Sequence, residues 1–127
     1  MRALTYILLV TAVLPVSANA EQTKSIMMEM KLDYLQAVNA DNAEQMRQSL
    51  AKLALWIEKA KQQPYPPQKH AIYLQGFHKL SSTIAEIERQ LAQGDWVSAQ
   101  AKLQDIDALR IEYHGYRSSS IWRRLLG

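Results

Sequence analysis

The apolar residues of this chain recur at helical spacing. Met46, Leu50, Leu53, Ile57 and Ala60 keep an unbroken step of three or four and so share one helix face. Tyr73, Phe77, Leu80, Ile84, Ile87 and Leu91 repeat the pattern. Trp96, Ala99, Leu103, Ile106, Arg110, Tyr113 and His114 fall within about 100° of arc at roughly 100° per residue. A first helix is predicted over 23–38, with Ile26, Met30, Met27 and Val38 on its apolar arc. Ser25, Glu29, Asp33 and Gln36 form a polar wedge on the same helix, and Met28 lies far from Ile26.

The breaks between these stripes carry the usual stop and start signals. Asn39 to Asn42 interrupts the first helix, and Asp41 or Asn42 caps the second, with Glu44 or Gln45 completing a capping box. Gln62 to Lys69, built around Pro-Tyr-Pro-Pro, is the longest connection. Gly94 is placed to end the third helix and Asp95 to cap the fourth. Four amphipathic helices with short connections predict an all-α, antiparallel up-down-up-down four-helix bundle.

Composition narrows this further. Beyond residue 20 the only β-branched valines and threonines are Val38, Val97, Thr23 and Thr83, too few to build strands. Residues 1–20 have the layout of a signal peptide: Met1-Arg2, an apolar run from Leu4 to Val16, then Ala18-Asn19-Ala20 before a cut at Glu21. The run is shorter than the roughly 20 residues of a bilayer-spanning helix, so no stable membrane anchor is expected after cleavage. The expected organisation is therefore a signal peptide over 1–20, a bundle over 21–117 and a C-terminal tail over 118–127. The tail's Ile121-Trp122-Arg123-Arg124 mixes apolar and basic groups and reads as a terminus that frays or folds back. A net charge of +3 is too small to argue for nucleic acid. The absence of cysteine excludes thiolate zinc sites, iron–sulfur clusters and covalently attached haem.

No enzymatic motif stands out. There is no glycine-rich phosphate loop and no H-E-x-x-H, and Asp105 and Asp107 are two apart and cannot share a helix face. The bundle topology does gather one chemical set at one end: Met27 early in the first helix, His114 late in the fourth, Tyr73 and Phe77 at the start of the third, beneath the proline loop. A thioether, an imidazole and aromatic rings suit a haem held by axial Met and His. Each has a plainer reading as core filler, and Met28 and Met30 offer rival thioethers. Arg110, on an apolar face, either snorkels or borders an anionic ligand edge. His70 and His78 read as solvent-facing.

Three stretches resemble the cytochrome b562 family. Ala40-Asp41-Asn42-Ala43-Glu44-Gln45 is similar to that family's opening of helix two, and Tyr73-Leu74-Gln75-Gly76-Phe77 to its start of helix three. Arg110-Ile111-Glu112-Tyr113-His114 resembles its Arg-x-x-Tyr-His near the end of helix four, where the histidine is an axial ligand. Without a gap, the family's axial methionine falls on Met27; a one-residue gap brings Met28 into register. The resemblance implies a periplasmic electron-transfer protein, not an enzyme, with one non-covalent haem b. Met27 and His114 then bind the iron, and Met30, Leu53, Tyr73, Phe77, Arg110 and Tyr113 surround the cofactor. It also implies a periplasmic redox partner and a chain that works as a monomer. The residues alone leave open a haem-free adaptor bundle, or a haem carrier or sensor that uses only the histidine.

Overall fold

The computed structural model describes the backbone of residues 16–114 and the side chains of residues 20–113. Four helices make up the bundle: α1 (Val16–Val38), α2 (Ala43–Lys61), α3 (Pro67–Ala92) and α4 (Trp96–His114). α1 packs on α2, α2 on α3 and α3 on α4, while α1 and α4 touch far less. The chain thus runs up and down through an antiparallel four-helix bundle that is open along the seam between its first and last helices. Most of the expected signal peptide and the tail 118–127 lie outside the described residues.

The buried face of α2 is Met46, Leu50, Leu53, Ile57 and Ala60, the stripe its spacing dictates, joined by Ser49. α3 buries Tyr73, Phe77, Ile84, Ile87 and Leu91 and leaves Leu80 half-buried. On α4, Ala99, Leu103 and Ile106 are buried. The caps explain the boundaries. Asn42 Oδ1 accepts from the Gln45 amide at 2.9 Å, and Gln45 Oε1 accepts in return from the Asp41 amide at 2.9 Å. This is a capping box closed one residue earlier than the usual one. At the end of α3, Gly94 has φ +77. The Asp95 amide donates to the Gln90 carbonyl at 2.9 Å and that of Gly94 to Leu91 at 3.1 Å, the paired bonds of a Schellman turn. Asp95 then starts α4, its Oδ1 accepting from the Ser98 amide at 3.1 Å.

Four expectations need correction. α1 extends back to Val16, beyond the expected start at Thr23, because Ala18, Ala20, Glu21 and Gln22 in between are good helix formers that continue the turn. The connection before α3 is shorter than Gln62–Lys69, since Pro67 is itself the first helical residue, where its missing N–H costs no hydrogen bond. Asp33 does not sit in a solvated wedge: it is only 5 % exposed, and its Oδ2 has no hydrogen-bond partner. Val38, assigned to the apolar arc, is exposed instead at the end of the helix.

Candidate functional site

The seam between α1 and α4 holds a cavity of about 260 Å³. α1 supplies Met27 and Met30 on one wall, and α3 supplies Tyr73, Phe77 and Leu80 on another. α4 closes the third side with Ile106, Leu109 and Tyr113, and Leu53 of α2 forms the floor. The mouth is polar: Lys31 and Tyr34 on α1 stand with Asp107 and Arg110 on α4, next to the exposed Leu35.

Every residue that the sequence nominated as a cofactor neighbour lines this one cleft: Met30, Leu53, Tyr73, Phe77, Arg110 and Tyr113. Of the nominated axial ligands, Met27 lines it too and is 2 % exposed. Met28 is 39 % exposed and does not line it. His114 is the last residue of α4, and its side chain lies outside the described residues. His70 and His78 are exposed.

Local packing holds the walls in place. The Tyr65 ring is buried beneath the cleft's aromatic side, edge-on to Tyr73 at 5.0 Å and tilted against Phe77 at 6.0 Å. Its hydroxyl donates to the Ala60 carbonyl at 2.7 Å, anchoring the proline connection to the end of α2. Thr23 Oγ1 donates to Gln63 Oε1 at 2.9 Å, tying the same connection to α1. Gly76 makes room for Tyr113: a Cβ built there would lie 3.0 Å from the ring. Sequence reasoning missed Tyr65, because a lone tyrosine between prolines carries no periodic signal.

Electrostatics are concentrated at the mouth. Arg110 Nε donates to Asp107 Oδ1 at 2.8 Å, which fixes the guanidinium at the cleft's edge. Burial pushes the Tyr34 hydroxyl above its ordinary pKa, the Asp107 carboxylate adds to this, and Arg110 opposes it.

These features test what the cleft can hold. No group of three or more histidine, cysteine, aspartate or glutamate residues gathers among the described residues, so a bare metal ion lacks ligands there. A flat apolar ligand that brings its own metal needs only one or two axial donors, apolar and aromatic walls, and cations for any acidic edge. Met27, the Tyr73–Phe77 side and the Lys31–Arg110 mouth supply these, so the residues fit a haem.

Fold and cleft together define a four-helix bundle with a largely apolar cleft between its first, third and fourth helices. The model of the cytochrome b562 family matches residues 22–117, most of the chain, and the protein belongs to that family, which binds haem and carries electrons. No curated protein matches the chain. No described helix is long and apolar enough to cross a membrane.

Proposed function

We propose that this protein is a periplasmic electron carrier that holds one non-covalent haem b in the α1–α3–α4 cleft, with Met27 and His114 as axial ligands. The observation that carries this reading is the burial of Met27 in a cleft otherwise walled by apolar and aromatic side chains. Residues 1–20 serve as an export signal in this reading, and an unidentified periplasmic redox protein is the partner.

When bound, the haem would supply a one-electron iron couple; Met27 and His114 would hold it, and a methionine–histidine pair would raise its potential. The chain's own residues do the rest. Met30, Leu53 and Phe77 exclude water from the cleft, which disfavours added charge at its centre. Arg110, oriented by Asp107, and Lys31 would meet the acidic edge of the bound group at the mouth. Tyr73, braced by Tyr65, keeps the aromatic wall rigid.

Visible spectroscopy of purified protein titrated with haem tests the proposal. A low-spin spectrum with a thioether-to-iron charge-transfer band is expected. Met27→Ala should abolish the band and Met28→Ala should keep it. A protein that takes up no haem would sink the reading, whereas loss of the band in Met28→Ala alone would shift the ligand by one residue.

A further inference from the structure

α1 carries a second apolar stripe that its packing leaves open. Met28, Leu32 and Leu35 are 39 %, 46 % and 42 % exposed, although the same helix buries Ile26, Met30 and Ala37 against the bundle. At about 100° per residue the three exposed residues fall within about 60° of one another, on the side of the helix opposite the buried set. Their steps of four and three are those of d, a and d positions in a heptad, with Ser25 at the preceding a. Isolated exposed apolar residues are ordinary. Three on successive turns along one line make a seam.

The flanks of that seam provide an independent observation. In the same register the g positions hold Lys24 and Lys31, and the e positions hold Glu29 and Gln36. In a parallel pair of helices, each g residue meets the e residue five positions further along the other helix. Lys24 therefore faces Glu29 of a second copy, and symmetry repeats the pair. An antiparallel arrangement sets g against g and e against e, which brings lysine flank to lysine flank. The charge pattern thus selects both the occupant and its direction.

We propose that two copies of this chain pair in parallel through the outward faces of α1, with Met28, Leu32 and Leu35 interlocking and Lys24–Glu29 contacts on both flanks. This departs from the monomer expected from the sequence. A seam of about two heptads falls well short of the roughly 800 Å² per partner in stable complexes, so the pair is weak and depends on concentration. Leu35 belongs both to the seam and to the rim of the cleft, so pairing sets two clefts beside one interface. The inference does not rest on haem binding.

Sedimentation of the chain lacking residues 1–20, followed from micromolar to millimolar concentration, tests it. A monomer–dimer equilibrium is expected, and Leu32→Glu should remove it. Lys24→Glu should weaken it by at least about tenfold, and Lys24→Glu combined with Glu29→Lys should restore it. Because the chain has no cysteine, Ser25→Cys should form an intermolecular disulfide under oxidation in the parallel register. Circular dichroism of each variant checks that the helices persist. A monomer throughout, or a dimer indifferent to charge reversal, overturns the proposal. So does a dimer that forms only when residues 118–127 are deleted, because the tail would then be what covers the stripe.

Discussion

The two sides of α1 use similar side chains to opposite ends. Toward α2, Ala37 is entirely buried, as are Leu50, Ile57 and Ala60 on the facing helix, and the two helices lie in close contact. Toward α4, Met27 and Met30 are nearly as buried, yet they face a cavity because the fourth helix stands away. Burial alone therefore does not separate a packing residue from a ligand-facing one. What separates them is the neighbour: close-packed helix in one direction, a gap bounded by rings and a salt-bridged arginine in the other. One helix serves as a structural wall and a binding wall at once.

Substitutions on either side of α1 should respond differently to haem. On the closed side, Ile57→Ala should cost about 2–5 kcal/mol in urea unfolding, by the same amount with and without haem. On the open side, Met27→Leu nearly conserves volume and should change the stability of haem-free protein by less than about 1.5 kcal/mol. It should still forfeit much of the stabilisation that haem gives, which for a ligand at a hundred times its Kd is about 2.7 kcal/mol. Equal responses at the two positions would erase the distinction between the seams.

Much of the fold was legible in the sequence, but this contrast within α1 was not. The stripes of α2 and α3 predicted their buried faces because each helix turns a single face to the bundle interior, so one period describes it. α1 defeats such a reading. It carries apolar residues on the α2 side, the cleft side and the solvent side, and a wheel assigns each residue one direction without saying what stands there. Hence Asp33 was placed in solvent although it is buried in the bundle, and Tyr34, Lys31 and Leu35 were not recognised at the cleft mouth. Met27, Tyr73 and Phe77 were found because topology alone brings their helix ends together. Tyr65 was not, because its role depends on a loop path.

Gly76→Ala should sharpen the comparison at smaller magnitude. Helix propensity favours alanine by up to about 1 kcal/mol, but the added Cβ meets the Tyr113 ring at 3.0 Å. Haem-free protein should therefore stay within about 1 kcal/mol of the parent, while haem affinity falls as the ring is pushed into the cleft. Unchanged haem affinity would show that Tyr113 yields without narrowing the site.

The smallest effect is a pH slope. Burial raises the Asp33 pKa, Glu29 adds to this and Lys52 opposes it. The folded protein thus binds this proton more tightly than the unfolded chain. Stability should rise as pH falls through the raised folded value and level off below the ordinary value of 3.8. Asp33→Asn should be more stable than the parent at neutral pH and lose that slope, as read from urea midpoints. Asp95, held low by its bonds from Ser98, has the opposite sign. Its contribution is full above 3.8 and disappears as pH falls through its depressed folded value, so the two carboxylates act in separate windows.

The cleft draws its walls from α1, α3 and α4, so it is complete only in a chain that extends through the fourth helix. Without the fourth helix, α1 can still pack on α2 and α2 on α3. Until Ile106, Leu109 and Tyr113 have followed, the side of the cleft that faces α4 is missing. A chain cut short within α4 therefore has most of the hydrophobic core and no complete cofactor site. On the proposed reading, cofactor capture is a test of completion: only molecules complete to the end of the last helix can be locked by haem, and truncated ones remain open along the same seam.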